Sequence, residues 1–311
     1  MTLHFPSKFR SAVVALVLMV CLLMVEGCGP SRNVSERSQD DETAMRLNRS
    51  ARIAYDNGQL EQAANLYRQA LNRAYLRDDH KAVIDAQYNL AVCMLGLRSY
   101  DRALVWVHLA QNELVRSGQR VTTDILLLEA VILLRTDQPD EAWQISDRIL
   151  TAPEGPPAMV ASKTHFLRGL IAEQRGDIDQ LDREIEALDE SDTSGTRAAD
   201  RLELRGRRAK AAGDWEAATD AFDQTARLRR EERDYAEMTH ALALAADACQ
   251  RAGKPSAAAT RYLRAGRSAV HQGNHQDAMQ WLNRAVELAG QAGDEPLKQE
   301  AKNYLESIQS P

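Results

Sequence analysis

One recurring pair of positions constrains the fold of this chain more than any other feature of its sequence. A small or apolar residue returns every 37 to 40 residues, at Ala63, Ala103, Ala142, Leu181, Ala218 and Ala258. The position four residues later is held by Tyr67, Val107, Ser146, Ile185, Phe222 and Tyr262. A fixed period of this length indicates a repeat architecture, in which each unit buries its apolar face against its neighbours.

The placement of glycine and proline indicates that each period is a pair of helices joined by a tight turn. Glycine stands five residues before the recurring position in four repeats, at Gly58, Gly176, Gly213 and Gly253. Glycine there supplies the left-handed conformation that ends a helix. Pro139 and Pro255 begin the next helix, where the missing N–H of proline costs nothing. Near the end of the chain the same signals predict helices over 255–271, 274–291 and 294–309. The pattern predicts an all-α fold of 14 helices in seven hairpins.

Composition agrees with a helical fold and narrows the choice of partner. Aromatic residues make up 5% of the chain and alanine is abundant, which favours close-packed helices over sheets. The net charge of −6 argues against nucleic acid and anionic lipid headgroups as general partners. The sequence lacks a glycine-rich phosphate loop, a nucleophile elbow and a paired-histidine metal motif. We therefore expect no cofactor and no enzymatic activity.

Few residues outside the repeat pattern carry chemistry of their own. Cys93 and Cys249 lie four repeats apart, whereas a disulfide needs Cα atoms within about 7 Å, so we expect two buried free thiols. His271 and His275 flank a turn near Asp277, a set that could bind Zn²⁺. An exposed Gly-Asn turn explains the same residues without a metal, and we expect no metal site.

The first 27 residues have the pattern of a secretory signal. Lys8 and Arg10 precede an uncharged stretch, 11–25, which is rich in valine, leucine and methionine. That stretch is too short to cross a hydrocarbon core of about 30 Å comfortably. Residues 28–41 are polar and lack an apolar period, which indicates a flexible tether with a reach of about 20 Å. The repeat region then occupies residues 42–311.

The leader resembles a bacterial lipoprotein signal. Val25, Gly27 and Cys28 fit the lipobox, whereas Glu26 departs from it. The resemblance implies cleavage before Cys28 and a diacylglyceryl thioether on its sulfur, and two or three acyl chains anchor a protein firmly. Because Gly29 is not the aspartate that favours inner-membrane retention, we expect the periplasmic side of the outer membrane. A plasma-membrane lipoprotein, or an ordinary signal with an incidental cysteine, is the alternative.

The repeats resemble the tetratricopeptide repeat (TPR), most clearly over residues 51–71, 206–222 and 239–265. The resemblance implies a right-handed α-solenoid of about seven hairpins. It also implies a scaffold that binds other proteins. Lipoproteins of this architecture assist in cell-envelope assembly, which the resemblance suggests for this chain as well. One alternative is a ligand-binding module that hands an apolar small molecule or lipid to a transport system. Another is a purely structural spacer.

The resemblance places the first helix of each hairpin on the concave wall, with inward positions 8, 11 and 15 residues before the recurring small residue. In hairpins two to four these positions predict a partner-binding groove of Tyr88, Val92, Leu95, Leu127, Val131, Leu134, Phe166 and Leu170. Both ends of the wall are polar, with Asn48, Arg52 and Tyr55 in hairpin one and Glu203, Arg207 and Lys210 in hairpin five. The apolar side chains in the middle of the wall either bind a partner or pack against one another and fill the groove.

Charge is segregated between two successive helices. Residues 177–192 contain eight acidic residues opposed only by Arg183. The next helix carries arginines three and four residues apart on one face, at Arg197, Arg201, Arg205 and Arg208. Mutual neutralisation of the two helices is one explanation. An arginine face left open for an acidic partner is the other.

Overall fold

The computed structural model describes residues 34–188 and 195–309, and the predicted leader with its predicted lipobox lies outside this part of the chain. The described part is built from helices, as the sequence predicts. In chain order these are α1 (Val34–Asp56), α2 (Leu60–Leu76), α3 (His80–Gly96), α4 (Tyr100–Arg116), α5 (Thr123–Arg135), α6 (Pro139–Leu150), α7 (Ala158–Arg175), α8 (Ile178–Ala187), α9 (Gly195–Ala211), α10 (Trp215–Glu231), α11 (Tyr235–Arg251), α12 (Pro255–His271), α13 (His275–Ala292) and α14 (Glu295–Gln309).

Consecutive helices pair into seven hairpins, each packed mainly against the hairpins next to it. This arrangement confirms the predicted all-α solenoid of helical hairpins. The three helices expected near the end of the chain are observed with starts and ends within one residue of their predicted limits. Helix α1 begins at Val34, inside the segment that we assigned to the tether, since backbone hydrogen bonds can extend a helix without an apolar face.

The recurring small residue forms the centre of each hairpin. All six copies are completely buried, at Ala63, Ala103, Ala142, Leu181, Ala218 and Ala258. Where glycine stands twelve residues earlier, the facing helix comes closer still. A Cβ atom built on Gly206 would lie 2.7 Å from the ring of Phe222, which is itself fully buried. A larger residue at Gly206 would therefore displace the aromatic ring that fills hairpin five.

Polar contacts between equivalent places of successive hairpins reinforce this stacking. Ion pairs 34 to 38 residues apart join neighbouring hairpins, such as Lys163–Asp200 (2.8 Å), Arg207–Glu173 (2.6 Å), Lys254–Glu216 (2.5 Å) and Arg261–Asp223 (2.6 Å). The apolar core is correspondingly divided into clusters along the chain. Each hairpin thus depends on its neighbours for stability, as expected for a solenoid.

The two cysteines of the repeat region are free and buried, as predicted. Burial raises the pKa of the Cys93 thiol to about 11, so this thiol stays protonated at neutral pH. None of the described helices is both long and apolar enough to cross a membrane.

Candidate partner-binding groove

A cavity of about 620 Å³ opens on the first helices of hairpins three to six. One wall is apolar and consists of Leu127, Val131 and Leu134 from α5 together with Phe166 and Leu170 from α7. These five residues belong to the predicted groove, and the structure brings them together. Each keeps part of its side chain exposed while packing against core clusters of hairpins three and four. Helices α5 and α7 therefore leave space between their inward faces and do not fill the groove themselves.

The remaining wall of this central cavity is charged. It is formed by Lys163 on α7, Glu203 and Arg207 on α9, Arg229 on α10, and Asp234, Glu237 and His240 at the start of α11. Of these seven residues, the sequence places only Glu203 and Arg207 on the concave wall, at its polar end. The other five were missed because they lie outside the positions 8, 11 and 15 residues before the recurring residue, and no local motif marks them.

Arg229 anchors the charged wall from inside the protein. Its side chain is 2% exposed and its guanidinium pairs with the fully buried carboxylate of Asp200, which also pairs with Lys163 at 2.8 Å. Burial lowers the pKa of Arg229, but Asp200, Glu237 and Asp234 together raise it by more, so the net shift is upward. Lys163, Asp200 and Arg229 thus form a fixed ionic cluster behind the cavity.

A second ionic cluster borders the same cavity. Arg207 pairs with Glu173 at 2.6 Å and with Glu203 at 2.7 Å, and Lys210 also reaches Glu173 at 2.6 Å. Burial raises the pKa of Glu173, and Arg207 and Lys210 lower it by more, so this carboxylate is charged at neutral pH. The cavity therefore offers an occupant an apolar wall and a wall of ordered charges.

A further cavity of about 480 Å³ lies on hairpins one and two. It contains Tyr88 and Val92 of the predicted groove, beside the predicted polar end formed by Asn48, Arg52 and Tyr55. Burial raises the pKa of Tyr55 and of Tyr88, which keeps both hydroxyls protonated as donors. Leu95 instead packs against the core of the first two hairpins and lines neither cavity. The predicted groove is thus two neighbouring cavities.

The predicted arginine face is partly used within the protein. Arg201 is buried, and Arg208 pairs with Asp182 at 2.9 Å on the preceding helix. Arg197 and Arg205 also lie on α9. The acidic residues at 189, 190 and 192 lie outside the described residues. Cross-neutralisation therefore accounts for part of the face.

The residues around the turn between α12 and α13, where the sequence places His271, His275 and Asp277, are arranged without a metal cluster. In residues 34–188 and 195–309, no group of three histidine, cysteine or acidic side chains is placed to hold a metal ion. Asp277 accepts a hydrogen bond from Asn274 at 2.8 Å and pairs with Arg98 at 2.5 Å. The carboxylate that a zinc site would need is thus already engaged.

Comparisons with known proteins agree with the hairpin architecture. The sequence model of the tetratricopeptide repeat matches residues 48–113 and 251–293. No curated protein matches the chain. The apo form of the quorum sensor NprR from B. thuringiensis is similar in fold, with a TM-score of 0.52 and 9% identity over 97% of this chain and 95% of that one.

Two other solved structures show weaker overall similarity. A tetratricopeptide repeat protein from Parabacteroides merdae has a TM-score of 0.47 and 15% identity, covering 84% of this chain and 99% of its own. PilW, described as a type IV pilus biogenesis factor, has a TM-score of 0.48 and 16% identity, and the match covers 86% of this chain and 98% of PilW. The family's repeats are recognised near both ends of the chain, and hairpins of the same kind lie between them, so the chain carries tetratricopeptide repeats within a solenoid of similar hairpins.

Proposed function

We propose that this protein is a lipid-anchored scaffold that binds a protein partner within a cell-envelope assembly, from the periplasmic side of the outer membrane. The repeat fold supports the coarser part of this proposal, because tetratricopeptide solenoids are protein–protein interaction scaffolds. The lipobox ending in Cys28 supports the anchor, and Gly29 supports the outer membrane. The partner is an envelope protein that the sequence does not name.

The observation that carries the binding role is the two-sided central cavity. Leu127, Val131 and Phe166 offer apolar surface where a wall without an occupant would be polar. Opposite them, Arg207 and Arg229 stand in ordered ion pairs. A segment of a partner protein with apolar side chains on one side and polar side chains on the other satisfies both walls at once.

Replacing Val131 and Phe166 with serine tests this role. Each apolar side chain that a partner fully buries contributes about 1.5–3 kcal/mol, so the double variant should weaken binding by at least about tenfold. The measurement is quantitative mass spectrometry of envelope proteins recovered with the lipidated protein from crosslinked membranes. The control is the change of Val105 and Leu109 to serine, since both are exposed on α4 outside the cavities.

Two results would contradict the groove as the binding site. One is equal recovery of the same envelope proteins by wild type and by the variant at Val131 and Phe166. The other is a large fall in the melting temperature of that variant, which would mean that the two side chains belong to the core. An unchanged melting temperature with loss of recovery only at the cavity supports the proposal.

Replacing Cys28 with serine tests the anchor. The variant lacks the sulfur that the lipid would modify, so we expect an unprocessed or soluble form in place of a membrane-bound one. Fractionation of inner membrane, outer membrane and periplasm measures this directly, with serine at the buried Cys93 as the control for loss of a thiol. A Cys28→Ser protein that remains in the outer-membrane fraction like wild type would contradict lipid anchoring.

The volume of the central cavity favours one other function. About 620 Å³ lies in the range of small-molecule sites, which fits a module that hands an apolar molecule or lipid to a transport system. The charged wall argues against this, since small-molecule sites are mostly apolar with few polar groups. Native mass spectrometry of the protein taken from membranes decides between a protein-binding scaffold and a ligand-binding module. A bound molecule of fixed mass that the variant at Val131 and Phe166 loses would favour the ligand module.

A further inference from the structure

The two ends of the solenoid touch each other. Arg98, in the turn of hairpin two, places a guanidinium nitrogen 2.5 Å from a carboxylate oxygen of Asp277 at the start of hairpin seven. A Cβ atom built on Gly58, in the turn of hairpin one, would lie 3.6 Å from the carbonyl oxygen of Gln272. The extensive helix contacts elsewhere join helices adjacent or next but one along the chain. Seven hairpins therefore complete one superhelical turn, and its ends meet.

The backbone of Arg98 is held in an unusual conformation at this contact. Its φ is +56°, in the left-handed region that glycine adopts without strain and other residues rarely enter. At the equivalent turn position, hairpins one, four, five and six have glycine (Gly58, Gly176, Gly213 and Gly253), and hairpin three has Asp137 with a φ of +60°. Hairpin two carries an arginine in spite of the strain. From this turn the Arg98 side chain reaches Asp277.

The ion pair between Arg98 and Asp277 is partly exposed to solvent, so it can separate. The carboxylate of Asp277 is 14% exposed and is oriented by a hydrogen bond from Asn274 at 2.8 Å. The Arg98 side chain is 49% exposed, so water replaces its partner readily when the pair separates. Ion pairs this exposed are also weakened by salt.

The two cavities lie on the same wall of the solenoid. Tyr55 lines the cavity of hairpins one and two, whereas Asp234 lines the central cavity on hairpins three to six. Both cavities are lined mainly by the first helices of their hairpins, which are α1 and α3 for one cavity and α5, α7, α9 and α11 for the other. With the ends in contact, an occupant reaches both cavities along the axis of the superhelix.

The charges around the first cavity indicate the chemistry of the occupant. Asp56 and Asp85 line it beside the single cation Arg52, and neither carboxylate takes part in an ion pair within the described residues. Burial raises the pKa of Asp85 by more than the charge of Lys81 lowers it, so the carboxylate has room for a further cation. A basic side chain suits this cavity, and apolar side chains suit the central one.

We propose that Arg98 and Asp277 form a gate that closes the superhelix around its occupant, and that the occupant is a flexible segment of a protein partner with basic residues next to an apolar stretch. This inference rests on the proposed function, since it specifies which kind of protein segment the groove binds. A flexible segment threads along the axis of the closed turn. A segment held in a folded domain needs the gate to open.

Hydrogen exchange of the full-length chain tests the gate. Asp277→Asn in hairpin seven should raise the exchange rate of backbone amides around Arg98 several-fold, although the two lie 179 residues apart. The charge swap Arg98→Asp with Asp277→Arg should restore protection. Lys254→Ala is the matched control, because it removes an ion pair of equal length, 2.5 Å, between neighbouring hairpins. Unchanged exchange around Arg98 in Asp277→Asn would overturn the gate.

A fluorescent peptide of leucine, lysine and glycine tests the occupant. The probe is used in two forms, as a free linear peptide and as a surface loop of a folded carrier domain. The wild-type chain should bind the linear form and exclude the loop, whereas Asp277→Asn should bind both. Equal binding of both forms by wild type would overturn the closed interior. If the linear form failed to bind, the proposal that the occupant is a basic and apolar segment would be overturned. The proposed function is tested separately by the membrane experiment on Val131 and Phe166.

Discussion

Asp200→Ala is expected to destabilise the protein by about 3–5 kcal/mol, because it removes the buried carboxylate that contacts the guanidinium of Arg229 and leaves only the more exposed Asp234, at 3.7 Å. Arg229 is 2% exposed and Asp200 is fully buried, so water cannot replace the lost carboxylate. Lys163 loses the same partner but is 32% exposed and can turn toward solvent. The measurement is the free energy of unfolding from urea titration, followed by circular dichroism.

Two controls separate the effect of burial from the loss of an ion pair as such. Glu216→Ala removes a pair whose carboxylate is 73% exposed, and exposed pairs contribute about 0–1 kcal/mol. The double variant Asp200→Leu with Arg229→Met removes both charges and should recover most of the lost stability. If Asp200→Ala were no more harmful than Glu216→Ala, the buried cluster would not be a structural element of the charged wall.

Phe222→Ala should cost about 3–5 kcal/mol, the range for removing a buried aromatic side chain and leaving a cavity. The ring is completely buried and occupies the space left open by Gly206 on the facing helix. Alanine at Phe222 cannot fill that space, because both helices would then present small side chains there. Thermal and urea unfolding both report the loss.

Leu76→Ala is the matched control for Phe222→Ala. Its side chain is 77% exposed at the end of α2, and a surface substitution of this kind changes stability by about 0.5 kcal/mol or less. Gly206→Ala provides a second check on the same contact, since the added methyl group would collide with the ring. A stable Gly206→Ala protein together with a stable Phe222→Ala protein would contradict the packing described for hairpin five.

Most of the fold could be predicted from the sequence because the signals are local. The recurring small residue marks the position of closest helix approach, and Ala63 and Ala258 are buried completely, as that role requires. Gly213 and Gly253 mark turns with φ of +75° and +74°. Arg98 and Asp137 adopt the same left-handed conformation without glycine, so the turn rule missed both. Their register had to come from neighbouring repeats.

The apolar half of the candidate site was also within reach of the sequence. Leu127, Val131 and Phe166 follow from the repeat register, because inward positions recur at fixed distances from the buried small residue. The charged half of the candidate site could not be predicted from the sequence, because Arg229 and His240 lie outside those inward positions. They reach the cavity only because successive hairpins rotate about the superhelix axis, and the size of that rotation is not encoded in a local pattern.

The sequence by itself determined the helical hairpins, their number and the buried positions at their centres. Each of these depends on residues within one or two helical turns of each other, where spacing alone decides which side chains meet. Only the tertiary structure decided that Asp200 lies behind the cavity and that Arg98 meets Asp277. These contacts depend on the summed rotation and rise of seven hairpins, and small changes at every interface accumulate in that sum.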